Sequence, residues 1–151
     1  NAITNYCQAG GNFFVSGAYV ASDLWDNRLV KANEEDKKFA MEVLKYKWRV
    51  GQAARNGKVK SVASPFPEIT GSYTYYQDLN PESYVVESPD ALEPAAQGAF
   101  TILRYSENNL SAGIAYKGNY KTCVLGFPFE AIRTVTEREL LMKAILTFFE
   151  H

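Results

Sequence analysis

Acidic side chains set around an indole are the residues of this chain best suited to chemistry. Asp23 and Asp26 flank Trp25, with Asn27 next in line; Glu130 follows the last apolar strand, and Asp90 stands in an irregular loop. Two carboxylates on either side of a sugar bond, with an indole face for the ring to stack on, suit glycoside chemistry. The same residues have a commoner use: Asp23 caps a turn, Asp26-Asn27 makes an Asx-turn and Trp25 packs half-buried. That use is the expected one. Tyr73, Tyr75, Tyr76 and Tyr84 divide in the same way between a carbohydrate-stacking platform and strand residues whose hydroxyls reach water, the second again expected. Arg104, Arg133 and Arg138 are the residues that would clamp an acidic sugar, although isolated arginines are more often solvated.

Other chemistries lack their residues. The single histidine is His151, the last residue of the sequence, and a chain end is a poor scaffold for the positioned imidazole of a nucleophilic triad. Classical zinc sites need several Cys and His ligands at characteristic spacing, and no G-x-G-x-x-G or G-x-x-x-x-G-K-[ST] phosphate cradle occurs. The sequence therefore predicts no cofactor and no metal. Cys7 and Cys123, far apart, read as buried small hydrophobes. A net charge of −1 gives no broad field for nucleic acid or anionic lipid. No apolar run approaches the ~20 residues of a membrane span, so neither nucleic acid nor membrane insertion is expected.

The elements that must position these side chains follow from pattern. Residues 3–9 read as a short helix ending at Gly10-Gly11, where glycine adopts the left-handed conformation that closes a helix. Residues 12–17 form a compact strand whose C-terminal end opens into the loop 18–27, the end of an α/β sheet at which ligands usually sit. Asn33 caps a second helix, with Glu34, Glu35 and Asp36 in its first turn and Lys45 and Lys47 at its end, all complementing the helix dipole. Glu34 and Lys38 are an i,i+4 pair, and Phe39, Val43 and Tyr46 make the apolar face. Asn56-Gly57 predicts a β-hairpin between residues 48–53 and 58–63. Residues 73–77, 83–86 and 99–105 are strand-like. Strands at 112–116 and 122–127 are joined at 117–120, and the continuous apolar run 122–127 suits a strand covered on both faces. Thr136 and Glu139 make the capping box of a closing helix, in which Leu140, Leu141, Ala144, Ile145 and Phe148 form a stripe widened by Met142, Leu146 and Phe149. At 151 residues, without repeats or linkers, one α/β domain with a mixed sheet is expected.

Gly10-Gly11-Asn12-Phe13-Phe14-Val15-Ser16-Gly17, together with Gly126-Phe127-Pro128-Phe129-Glu130-Ala131-Ile132 and the closing helix, resembles the class I glutamine amidotransferase-like fold. Closer still is its non-catalytic version, found toward the C-termini of secreted bacterial proteins labelled xanthan lyase or N-acetylmuramoyl-L-alanine amidase. The resemblance covers the two ends of the chain and not the middle, roughly residues 49–97. It implies a three-layer, flavodoxin-like α/β sheet, here with a β-hairpin insertion. It also implies no glutaminase activity. The family's G-x-C-x-G elbow is missing, and where the family reads F-H-P-E this chain has Phe127-Pro128-Phe129-Glu130, with proline in place of histidine. The implied role is a non-catalytic accessory domain that contacts polysaccharide, peptidoglycan or neighbouring domains of a secreted or periplasmic parent, through Asp23, Trp25, Asp26, Asn27, Asp90 and Glu130 at the C-terminal edge of the sheet. A carbohydrate-active enzyme using Asp23, Asp26 or Glu130 is the alternative. Asn1-Ala2 looks like the remnant of a cleaved tag, and the expectation is an excised, C-terminal domain.

Overall fold

A computed structural model describes residues 1–25 and 31–151. Asp26 and Asn27 lie outside the described residues. In chain order the elements are α1 (Ala2–Gln8), β1 (Phe13–Ser16), α2 (Glu34–Phe39, continued by a π turn over Ala40–Leu44), β2 (Tyr46–Val50), β3 (Lys58–Ser61), β4 (Ser72–Thr74), β5 (Ala91–Pro94), β6 (Ala99–Tyr105), β7 (Ser111–Lys117), β8 (Lys121–Leu125), a 3-10 turn over Phe129–Ala131, and α3 (Val135–Glu150). Six strands form one mixed sheet in the order β1-β8-β7-β6-β3-β4. Only β1 and β8 run parallel; the other neighbours are antiparallel. A separate antiparallel ribbon pairs β2 with β5.

The centre of the sheet is covered on both faces, as the apolar run predicted. Side chains alternate along a strand, and along β8 they feed two different clusters. Cys123 and Leu125 join Leu141, Ala144, Ile145 and Phe148 of α3, whereas Val124, with Ile114 of β7, joins Ala40, Leu44, Tyr46 and Leu92. One cluster is thus closed by α3 and the other by the π turn and the two-stranded ribbon. Burying each Val, Leu or Ile contributes about 1.5–3 kcal/mol, which makes this double cover the main stabilising feature.

The ribbon is where pattern and fold part. Residues 48–53 and 58–63 do not pair: Tyr46–Val50 goes to Ala91–Pro94, and Lys58–Ser61 goes to β4 and β6. A hairpin turn of the expected kind needs positive φ at both central residues. Only Gly57 has it, at φ 62; the Asn56 side chain instead accepts from the Lys58 amide at 3.1 Å. Residues 83–86 form no strand, and that segment is held by the Val86 amide donating to the Tyr76 carbonyl at 2.9 Å.

The helices keep their caps with changes of register. Asn33 accepts from the Asp36 amide at 2.8 Å, but the helix ends at Lys45, in the left-handed conformation at φ 68. Tyr46 and Lys47 therefore belong to β2 rather than to the helix. The Lys45 ammonium lies over the Tyr116 and Tyr120 rings, 5.0 and 5.8 Å from their centroids. Glu34 pairs with Lys37 at 3.3 Å, and Lys38 with Glu42 at 3.9 Å, in place of the expected Glu34–Lys38 pair. The cap of α3 is Thr134, not Thr136, and accepts from the Glu137 amide at 3.1 Å. Its start is fixed just upstream, where Ile132 bridges to Tyr75. Leu141, Ala144, Ile145 and Phe148 face the core, whereas Leu140 and Leu146 are exposed.

Phe148 stacks on Phe66, with ring centroids 4.4 Å apart, and meets Phe100 edge-on. Phe148→Ala is expected to cost about 3–5 kcal/mol in urea denaturation. Thr134→Ala should cost about 0.5–2 kcal/mol and Thr136→Ala close to nothing, the reverse of what the sequence pattern implies.

Candidate functional site

The parallel pair sets the site. Because β1 and β8 run side by side, the loop after Ser16 and the segment after Leu125 leave the same edge of the sheet. The Gly17 amide donates to the Leu125 carbonyl at 3.3 Å, and the Ser16 hydroxyl accepts from the Phe129 amide at 3.2 Å. The loop then folds into tight turns, in which the Asp23 amide donates to the Tyr19 carbonyl and the Trp25 amide to the Ser22 carbonyl.

Asp90 was expected on the surface of this edge and is instead fully buried beneath it. Its Oδ2 accepts from the Ser22 amide at 2.9 Å, and its Oδ1 from the Trp48 indole at 3.0 Å. Its backbone is also engaged. The Asp90 amide donates to the Gly126 carbonyl at 2.7 Å, and the Tyr105 hydroxyl donates to the Asp90 carbonyl at 2.7 Å. The carboxylate thus fastens the β1 loop to the β2–β5 ribbon. Burial raises its pKa from 3.8 to about 6; the Ser22 and Trp48 hydrogen bonds favour the charged form and do not offset the lost hydration. Nearby, the Tyr46 hydroxyl donates to the Val20 carbonyl at 3.3 Å, and burial, with Asp90 and Asp23 close by, pushes its pKa up.

The remaining predicted residues scatter. Asp23 is exposed, and Trp25 is half-buried, packed with Leu24 against the cluster containing Ala21 and Tyr46. Glu130 is exposed and accepts from the Tyr84 hydroxyl at 2.6 Å. Burial and that carboxylate push the Tyr84 phenol up to about 12. Among the described residues no hydrogen bond links Asp23, Asp90 and Glu130 to one another. The tyrosines divide as well: Tyr73 and Tyr75 are core residues, whereas Tyr76 donates to Glu82 at 2.7 Å and Tyr84 remains half exposed. The arginines do not converge. Arg104 reaches the Asn109 carbonyl, Arg133 pairs with Asp78 at 2.6 Å over the Tyr76 ring, and Arg138 donates to the Ile132 carbonyl. Trp48, Tyr46 and Tyr105 complete the buried cluster and carried no functional signal in the sequence.

The chemistry open to this edge is narrow. Cys7 and Cys123 are buried, unpaired thiols whose pKa burial raises, the opposite of an activated nucleophile. Among the described residues no group of three or more His, Cys, Asp or Glu could hold a metal ion. Among them, too, no helix is long and apolar enough to cross a membrane.

Neither protein-family models nor curated protein sequences give a match to the chain. Among solved structures, the fold is similar to that of a beta-galactosidase from Rahnella sp. R3, with TM-score 0.61 and 14% identity over 98% of this chain and 20% of that one. At that identity the likeness concerns the fold, which is mixed α/β. The chain spans about a fifth of the length of that enzyme.

Two expected outcomes follow from the buried cluster. Asp90 keeps its proton in the folded state up to about pH 6, whereas the unfolded chain releases it near 3.8. The folded state binds more protons between those values, so stability should fall as pH rises through the window, by on the order of 3 kcal/mol. Chemical denaturation of Asp90→Asn across the same range should lack that slope. Among the described residues, the Tyr75 hydroxyl, buried against Phe127, has no hydrogen-bond partner. Tyr75→Phe should therefore leave stability unchanged or raise it, whereas Tyr105→Phe should lower it by about 1–3 kcal/mol.

Proposed function

We propose that this chain is a non-catalytic accessory domain, of glutamine amidotransferase-like, three-layer flavodoxin-like build, within a larger secreted protein that processes carbohydrate. Its role is to contact polysaccharide or peptidoglycan, or to pack against neighbouring domains of the parent. The observation that carries the reading is the commitment of Asp90: the one carboxylate that, among the described residues, is enclosed at the carboxyl edge of β1 and β8 has both oxygens engaged by Ser22 and Trp48. A group held this way fixes a loop and is closed to substrate. The likeness to a fifth of a beta-galactosidase chain supports a domain-sized part of a carbohydrate enzyme. The three-layer build draws support from the two apolar clusters on opposite faces of the central strands.

An enzymatic reading rests on the exposed pair of Tyr84 and Glu130, since a phenol beside a carboxylate is a conceivable acid-base couple. The electrostatics run against it. Glu130 favours the protonated phenol and helps move it up to about 12, away from the neutral range in which a general base works best.

The test is binding and turnover measured together on an array of polysaccharides and peptidoglycan fragments. Binding without product release is expected, unchanged in kind by Asp23→Asn or Glu130→Gln. Turnover abolished by either substitution would transfer the reading to an enzyme. Absence of binding across the array would end the carbohydrate reading and leave the packing role.

A further inference from the structure

Beside the buried Asp90 cluster lies an open groove of about 370 Å³, lined by Gln52, Arg55, Gln77, Val85, Val86 and Glu87. Its walls come from three segments tied together by hydrogen bonds. The Gln52 amide donates to the Ser88 hydroxyl at 3.2 Å, and the Ala53 amide to the Pro89 carbonyl at 2.9 Å. The Gln77 side chain donates to the Val86 carbonyl at 2.5 Å, fixing a third wall. The volume falls at the small end of the range of about 300–1,000 Å³ for ligand sites.

The chemistry of the lining is specific. Among the described residues, no hydrogen bond or ion pair engages the Arg55 guanidinium, the Glu87 carboxylate or the Gln52 carboxamide. One positive and one negative group cancel, so the groove has no net attraction for phosphate or polyanions. Planar groups with paired donors and acceptors match the adjacent hydroxyls of a sugar ring, and Val85 offers an apolar surface to its C–H face.

Gln52 supplies the second observation. It holds φ at 50, in the left-handed region, as a residue with a side chain. That conformation favours glycine, although Lys45 and Asn109 of this chain also adopt it. A position kept only for its turn would be best filled by glycine. A residue with a side chain held in this conformation where it lines a groove points to a use for that side chain.

We propose that this groove binds a neutral oligosaccharide chain, with Gln52, Arg55 and Glu87 contacting its hydroxyls. The proposal rests on the carbohydrate reading above and names its site. Binding is followed by amide chemical-shift mapping of the whole chain with neutral galacto-, gluco- and manno-tetrasaccharides, and with an oligogalacturonate as the anionic arm. Shifts are expected at Gln52, Gln77 and residues 85–87 with a neutral sugar. Arg55→Ala and Glu87→Ala should each weaken binding about tenfold. Gln52→Gly is the discriminating variant: thermal stability held or raised, with affinity lost. Sugar binding that Trp25→Ala abolishes and the three groove variants leave intact would overturn the groove while the carbohydrate reading stands. Binding of the oligogalacturonate alone would overturn the neutral class. No shift with any sugar would remove both.

Discussion

The molecule is organised by the close approach of two backbones, at Asp90 and Gly126. The Asp90 amide bonds the Gly126 carbonyl, and the Tyr105 hydroxyl donates to the Asp90 carbonyl and also reaches the Gly126 carbonyl at 3.3 Å. A Cβ on Gly126 would collide with the Asp90 carbonyl oxygen. That contact brings the start of β5 against the end of β8. With β5 comes β2, and with β2 come Tyr46 and Trp48, which close the apolar cluster beneath Val124 and Ile114. Three polar side chains, Asp90, Trp48 and Tyr105, are buried or half-buried as a consequence. Each finds a partner, as buried polar groups must if the fold is to tolerate them.

The same contact explains what happened to the candidate carboxylates. A sheet edge at the carboxyl ends of parallel strands is a natural ligand site because loops diverge there and leave a crevice. Here, among the described residues, only one strand pair is parallel, and the crevice beside it is occupied by the Asp90 side chain and the loop it holds. Burial keeps that carboxyl protonated to about pH 6, so near neutrality the fold holds a desolvated charge stabilised by hydrogen bonds from Ser22, Ala21 and the Trp48 indole. An arrangement of this sort ties loops together; it has no free oxygen to offer a substrate.

Much of the architecture was legible, and the failures share one cause. The pattern at 99–105 marks strand β6 with its true bounds, and the apolar runs at 112–116 and 122–127 mark a strand pair buried on both faces. Asn33 named its helix, because a cap is decided within four residues. Where the decision is long-range, local signals misled. Asn56-Gly57 looked like a hairpin, but β2 finds its partner in Ala91–Pro94, a segment whose flanking prolines disguised it as a loop. Thr134 and Thr136 each have a glutamate three residues on, and the Tyr75–Ile132 bridge, invisible in sequence, chose the first. Of the six candidate site residues, Asp23 and Glu130 are exposed as expected and Trp25 packs half-buried. Nothing near Asp90 in sequence announced its burial, since its partners Ser22, Trp48 and Tyr105 are spread over much of the chain.

Commitment of side chains also separates surfaces that could recognise a ligand from those that only look capable of it. The tyrosine-rich face around Tyr76 and Tyr84 resembles a stacking platform. Its hydroxyls are already bonded to Glu82 and Glu130, and Arg133 covers the Tyr76 ring. A ligand arriving there must first displace good hydrogen bonds, and the exchange gains little. The groove between Gln52 and Glu87 is the opposite case. Its backbone is fixed by cross-groove hydrogen bonds, and among the described residues its Gln52, Arg55 and Glu87 side chains make no hydrogen bond or ion pair. A preorganised wall with uncommitted polar ends loses less on binding than a satisfied network does. On the proposal made above, recognition on this fold is better served by the irregular middle of the chain than by the carboxyl edge of β1 and β8.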